Sequence, residues 1–151
     1  MSIEGKPLER LKSGYKEFDR VLGGGLVPGS LVLIGGDPGI GKSTLLLQSA
    51  TEMAKHHSVL YVSAEESAQQ VRLRWQRLEG QNSTLKLLAE TDLERVIEEL
   101  ETLRPSVAII DSIQALNDNR LTSTPGSVSQ VRDCSAYLQK LAKVNEIALV
   151  I

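Results

Sequence analysis

Apolar residues in this chain gather in short, nearly unbroken runs rather than in long alternating stretches. The runs fall at 31–34, 59–63, 85–88, 107–110 and 147–151. Most are continuous Val, Ile and Leu, which fits strands covered on both faces, since a half-exposed strand would alternate. Between the runs the pattern is helical. Residues 14–22 bring Tyr15, Phe18, Val21 and Leu22 onto a short helix that Gly23-Gly24-Gly25 ends, and Pro28-Gly29 makes a further turn. Helices are also predicted from 44 to about 56, from 67 to 79, from 91 to just before Pro105, and from 127 to 144. Thr91, with Glu94 three residues on, reads as a capping box. The polar stretch 117–126, with Pro125-Gly126, reads as a loop. Strands and helices thus alternate, which predicts an α/β domain: a parallel sheet with helices on both faces. Ligands of such sheets bind beyond the carboxyl ends of the strands. Residues 1–12 are a polar lead-in, and the domain is expected over 13–151.

A phosphate loop sits at that edge. Gly36-Asp37-Pro38-Gly39-Ile40-Gly41-Lys42-Ser43-Thr44 fits G-x-x-x-x-G-K-[ST], between a predicted strand and a predicted helix. This context turns backbone N–H groups and a helix N-terminus toward an anion. The glycines let the backbone approach phosphate unobstructed. Lys42 is expected to reach the β- and γ-phosphates, and the Ser43 hydroxyl to bind magnesium. ATP and Mg²⁺ are the predicted cofactors.

Two carboxylates complete the expected site. Asp111 closes the 107–110 run, the Walker B position, where it would hold magnesium directly or through water. Hydrolysis also needs a group that orients or deprotonates water. Ser112, not a glutamate, follows Asp111, so the base is sought on a neighbouring strand. Glu65 and Glu66 lie just past 59–63, and parallel strands place their carboxyl ends on one edge. Glu65 is expected as the catalytic base, beside Lys42, and Glu66 as its support or as a helix cap.

Composition narrows the rest. The 151 residues suffice for one domain with a core. Net charge is −2 and aromatics are 3%, so neither a global basic surface nor a stacking platform for bases is indicated. Cys134 is the sole cysteine, which excludes an internal disulfide and a cysteine-built zinc site in this chain. No apolar run approaches the roughly 20 residues of a membrane span. The N-terminus lacks a signal-peptide pattern, and the cytoplasm is the expected location. The polar loop after Asp111 holds Arg120, with Arg132 at its far side, and reads either as an ordinary flexible loop or as a segment whose hydroxyls, amides and arginines contact phosphate. Arg72, Arg74 and Arg77 read as a solvated face or subunit contact, and Trp75 as packing. The chain stops inside an apolar run, so a fragment is expected.

These elements, with Gly23-Gly24-Gly25-Leu26-Val27-Pro28-Gly29-Ser30 upstream, resemble the RecA-fold ATPases. Residues 22–48, Tyr61-Val62-Ser63-Ala64-Glu65-Glu66-Ser67, Ile110-Asp111-Ser112-Ile113-Gln114 and Pro125-Gly126-Ser127-Val128-Ser129-Gln130-Val131-Arg132 are similar to the bacterial RadA (Sms) family of DNA repair and recombination proteins. Ala64 departs from that family's usual glycine. The resemblance covers about residues 10–151 and implies a RecA-like P-loop NTPase core, incomplete at its C-terminal end. It implies a DNA-dependent ATPase, hydrolysing ATP to drive branch migration of branched recombination intermediates, and a homo-oligomeric ring on single-stranded or branched DNA. The family's four-cysteine module, its Lys-Asn-Arg-Phe-Gly motif and its Lon-protease-like domain are not in this sequence. In the RecA-like sheet the 147–151 strand lies between the phosphate-loop strand and the Walker B strand. The former would then be an edge that invites association. Two other readings are a KaiC-like RecA-fold ATPase outside DNA metabolism, which the 125–132 segment disfavours, and a nucleotide-binding module without turnover.

Overall fold

The computed structural model describes residues 9–35, 41–78, 84–120 and 124–151. In chain order the elements are α1 (Lys16–Val21), β1 (Leu31–Val32), α2 (Lys42–Met53), β2 (Val59–Ser63), α3 (Ala68–Arg77), β3 (Lys86–Ala89), α4 (Leu93–Leu103), β4 (Val107–Asp111), α5 (Val128–Asn145) and β5 (Ala148–Val150). The five strands form one sheet in the order β1-β5-β4-β2-β3, and every pairing is parallel. β5 therefore fills the slot between β1 and β4, as the resemblance implied.

Alternation along each strand splits the core into two layers. Leu60, Val62, Ala108, Ile110 and Leu149 face Leu93, Val96 and Leu100 of α4 and Cys134, Leu138 and Ala142 of α5. Val59, Tyr61, Val107, Ile109 and Val150 face Leu46, Leu47, Ala50 and Met53 of α2, with Val71 and Trp75 of α3. Full burial of one such Leu or Ile side chain contributes about 1.5–3 kcal/mol. Burying both faces is what makes the strand sequences continuously apolar rather than alternating. Among the described residues no helix is long and apolar enough to cross a membrane.

Several boundaries differ from the sequence reading. β1 is only Leu31–Val32, although its alignment with β5 continues through the Ile34 N–H, which donates to Ile151 O at 2.8 Å. Beyond β1 no further strand lies among the described residues, so its outer side is an edge. The α4 cap is Asp92, not Thr91: its carboxylate accepts from the Glu94 N–H at 3.0 Å. Thr91 instead uses its backbone carbonyl to accept from Asn117 N–H at 2.7 Å, pinning the start of α4 to the segment that leaves β4. At the N-terminal side, Leu11 and Leu26 exchange backbone hydrogen bonds of 2.7 Å. A Cβ on Gly25 would lie 2.5 Å from Leu11 O, so only glycine lets these two segments meet.

Candidate nucleotide site

Gly36, Asp37, Pro38, Gly39 and Ile40 of the phosphate loop lie outside the described residues. Its C-terminal part is placed. Gly41 caps α2 with φ 86°, the left-handed region where an L side chain is strained. Lys42, Ser43 and Thr44 form the first turn of α2, with Lys42 and Ser43 half-buried and Thr44 exposed. Their backbone N–H groups belong to the orphan donors of a helix start.

The sheet brings Asp111 to Lys42. Asp111 ends β4 on the α2 side of the sheet and is 3% exposed. Its Oδ1 lies 3.8 Å from Lys42 Nζ. That separation is an ion pair but too long for a hydrogen bond. Oδ1 has no hydrogen-bond partner among the described residues, whereas Oδ2 accepts from the Tyr61 hydroxyl at 3.0 Å. Burial, with the Asp111 charge beside it, pushes the Tyr61 phenol well above its ordinary range, so the hydroxyl keeps its proton and donates.

Glu65 reaches the same edge. The Ala64 N–H donates to Asp111 O at 2.8 Å, which carries the β2–β4 alignment one residue past the strands. Glu65 is exposed, and its Oε1 accepts a short hydrogen bond from the Ser112 hydroxyl. The two carboxylates are thus tied together through consecutive residues of one strand end. Glu66 is not a cap: it pairs with Arg74 Nη2 at 2.7 Å, while Ser67 caps α3 in a reciprocal box with Gln70. Ser63 Oγ fixes the turn by donating to Glu66 O at 3.0 Å and accepting from Glu66 N–H at 3.2 Å.

A buried carboxylate oxygen without a donor, near a lysine and a helix N-terminus, suits a hard cation shared with phosphate. Magnesium takes one or two carboxylates and keeps phosphate and water oxygens for the rest. Among the described residues no group of three or more His, Cys, Asp or Glu could hold a metal, and Asp111 offers a single buried carboxylate oxygen without a hydrogen-bond partner.

The expected DNA segment is differently organised. Arg120 Nε donates to Asp118 Oδ1 at 2.8 Å and Nη2 to Oδ2 at 2.9 Å. Glu94 lies 3.5 Å away, and the guanidinium stands 5.3 Å from the centre of the Tyr137 ring. Arg120 is thus committed to internal partners. Residues 121–123 of this segment are outside the described residues.

Comparisons with known proteins place this geometry in a family. A family model described as an AAA domain matches residues 6–150. The chain belongs to that family. It is 55% identical to the DNA repair protein RadA of Streptococcus pneumoniae over 95% of the chain and 34% of the relative. To the RadA of Bacillus subtilis it is 52% identical over 99% of the chain and 33% of the relative. The chain therefore spans about a third of the length of the curated relatives it matches. Among solved structures it is similar to the RadB recombinase, with TM-score 0.64 and 25% identity over 93% of this chain and 68% of that one. A DnaB-like replicative helicase gives TM-score 0.77 at 16% identity, over 97% and 45%, and bears on the fold alone. The AAA-domain chain thus has the RecA-like P-loop fold, in a family of ATPases with DNA repair relatives.

Sequence reasoning gave no role to the Tyr61 or Ser112 hydroxyl. Tyr61 stood in an apolar run, and its partner is 50 positions away. Only the β2–β4 register, which sets Ser63 beside Asp111, brings them together.

Proposed function

We propose that this chain is the nucleotide-binding and hydrolysing core of a DNA repair and recombination ATPase that acts on branched recombination intermediates. The observation that supports it best is the meeting of Lys42, Asp111 and Glu65 at the carboxyl edge of β2 and β4, reached from the start of α2 and the ends of both strands. Lys42 neutralises the β- and γ-phosphates of ATP, and the backbone N–H groups at the start of α2 add positive potential. Gly36, Asp37, Pro38, Gly39, Ile40, Gly41 and Thr44 complete the phosphate cradle. Ser43 and Asp111 would hold magnesium, which would supply charge neutralisation at the phosphate oxygens. Glu65 takes the proton of the attacking water, and the Ser112 hydroxyl keeps its carboxylate turned toward that edge. In the longer relatives, DNA and neighbouring copies in a ring are the proposed partners, with the cytoplasm the proposed location.

The test is calorimetric ATP binding with magnesium by this chain, followed by turnover with and without single-stranded DNA. Lys42→Ala is expected to abolish binding, and Glu65→Gln to keep binding and lose hydrolysis wherever turnover is present. Unchanged ATP affinity in Lys42→Ala would refute the assignment of the loop. Turnover indifferent to DNA in the longer protein would favour an ATPase outside DNA metabolism.

A further inference from the structure

The motif that opens with Tyr61 assigns its hydroxyl no role, yet that hydroxyl is the group that divides the Asp111 carboxylate into two unlike oxygens. Tyr61 is 1% exposed, and its hydroxyl is bonded to Oδ2 at 3.0 Å. Oδ1 is buried, without a hydrogen-bond partner among the described residues, and 3.8 Å from Lys42 Nζ. A carboxylate on its own turns easily, because its terminal torsion is broad and two-fold. A single donor on one oxygen removes that freedom and leaves the other oxygen directed at the Lys42 end of the site. The phenol sits two residues before Ser63 on β2, and Ser63 is the register partner of Asp111. Alternation therefore puts Tyr61, Ser63 and Asp111 on one face of the sheet. The ring is fixed by packing among the apolar residues of that face, Val59, Ile109 and Val71 included.

We propose that Tyr61 is a positioning residue for magnesium: its hydroxyl fixes Asp111 so that Oδ1 alone is presented to the metal. The inference rests on the reading above that Asp111 holds magnesium. Groups that orient a metal-bound carboxylate typically change metal affinity about 10–100-fold when removed. Nothing in this role calls for Tyr61 to touch nucleotide.

Tyr61→Phe removes one oxygen and leaves the ring. The affinity of the chain for a fluorescent N-methylanthraniloyl ATP is measured in EDTA and across a range of free Mg²⁺, for wild type, Tyr61→Phe and Asp111→Asn. Wild type is expected to bind more tightly as Mg²⁺ rises. Tyr61→Phe is expected to need about 10-fold more free Mg²⁺ for half of that gain, at unchanged affinity in EDTA. A Tyr61→Phe protein that unfolds earlier but keeps the wild-type Mg²⁺ midpoint overturns the proposal, because a purely structural tyrosine would behave so. If Asp111→Asn moves the midpoint and Tyr61→Phe does not, only this inference falls. If Mg²⁺ has no effect on wild type, or Asp111→Asn leaves its effect intact, the Asp111 reading falls and this one with it. Should Tyr61→Phe lose the wild-type circular dichroism spectrum, 3-fluorotyrosine at position 61 takes its place. Its ¹⁹F resonance is expected to shift between ATP with EDTA and ATP with Mg²⁺, and an unmoved resonance overturns the proposal.

Discussion

Lys42 and Asp111 face each other across the proposed nucleotide site at 3.8 Å, and each is the other's ion-pair partner among the described residues. At that distance, with the effective dielectric of about 20 that suits protein charge pairs, the Coulomb attraction is about 4 kcal/mol. Side-chain exposures of 19% and 3% mean that solvent screens the pair only in part. Dehydration of both charges offsets much of the attraction, and coupling energies of contacting residues run at about 0.5–3 kcal/mol. Lys42→Met is therefore expected to lower the stability of the nucleotide-free chain by about 1–3 kcal/mol, since it strands a buried carboxylate. In an Asp111→Asn background the same change should cost less than about 0.5 kcal/mol, because no buried anion is left behind. Urea unfolding of the four proteins at pH 7, without nucleotide or magnesium, gives the coupling directly. A coupling below about 0.3 kcal/mol would refute the reasoning: Lys42 would then be solvated, and Asp111 satisfied elsewhere. A measured coupling of the expected size would mean that an arriving anion draws Lys42 from an existing partner and leaves the Asp111 carboxylate in need of another cation.

Two further outcomes are expected. Asp92→Ala should lower stability by about 1 kcal/mol in urea unfolding and Thr91→Ala by less than about 0.5; the reverse order would return the α4 cap to Thr91. The hydrogen bonds from Arg120 hold the Asp118 carboxyl below the usual carboxylate range. A depressed folded pKa adds stability that is present above the unfolded pKa of about 3.9 and is lost as pH falls through the folded one. Thermal unfolding should therefore show an acid limb below about pH 4 that is shallower in Asp118→Asn, and identical limbs would remove Asp118 from it.

What could be read from the residues was whatever depends on neighbours in sequence. Val59–Ser63 appeared as a strand with those same limits, because a run buried on both faces announces itself by composition. Lys42 just before a helix and Asp111 at a strand end followed from motif and flank together; the structure starts that helix at Lys42 itself and sets the two side by side. Contacts between distant segments were hidden. Asp92 displaces Thr91 as cap because the Thr91 carbonyl is taken up by Asn117, which no local pattern signals. Glu66 looked like a cap until Arg74, eight residues on, gave it a charge partner. Arg120 looked like a free cation in a polar loop, and only folding brings Glu94 and Tyr137 against it.

The position of β5 has a consequence for the order in which this molecule can be built. Among the described residues β1 pairs with β5 alone, and β5 joins it to β4. The strand from which the phosphate loop departs therefore has no place in the sheet until residues 148–150 exist and have inserted. Joining 31–32 to 148–150 closes a loop of more than a hundred residues, an encounter of high contact order, which is slow to form. A growing chain would hold β4, β2 and β3 in register well before its phosphate loop had a fixed base. The base of the phosphate loop is thus set later than the β4, β2 and β3 pairing, and its order reports whether β5 is seated.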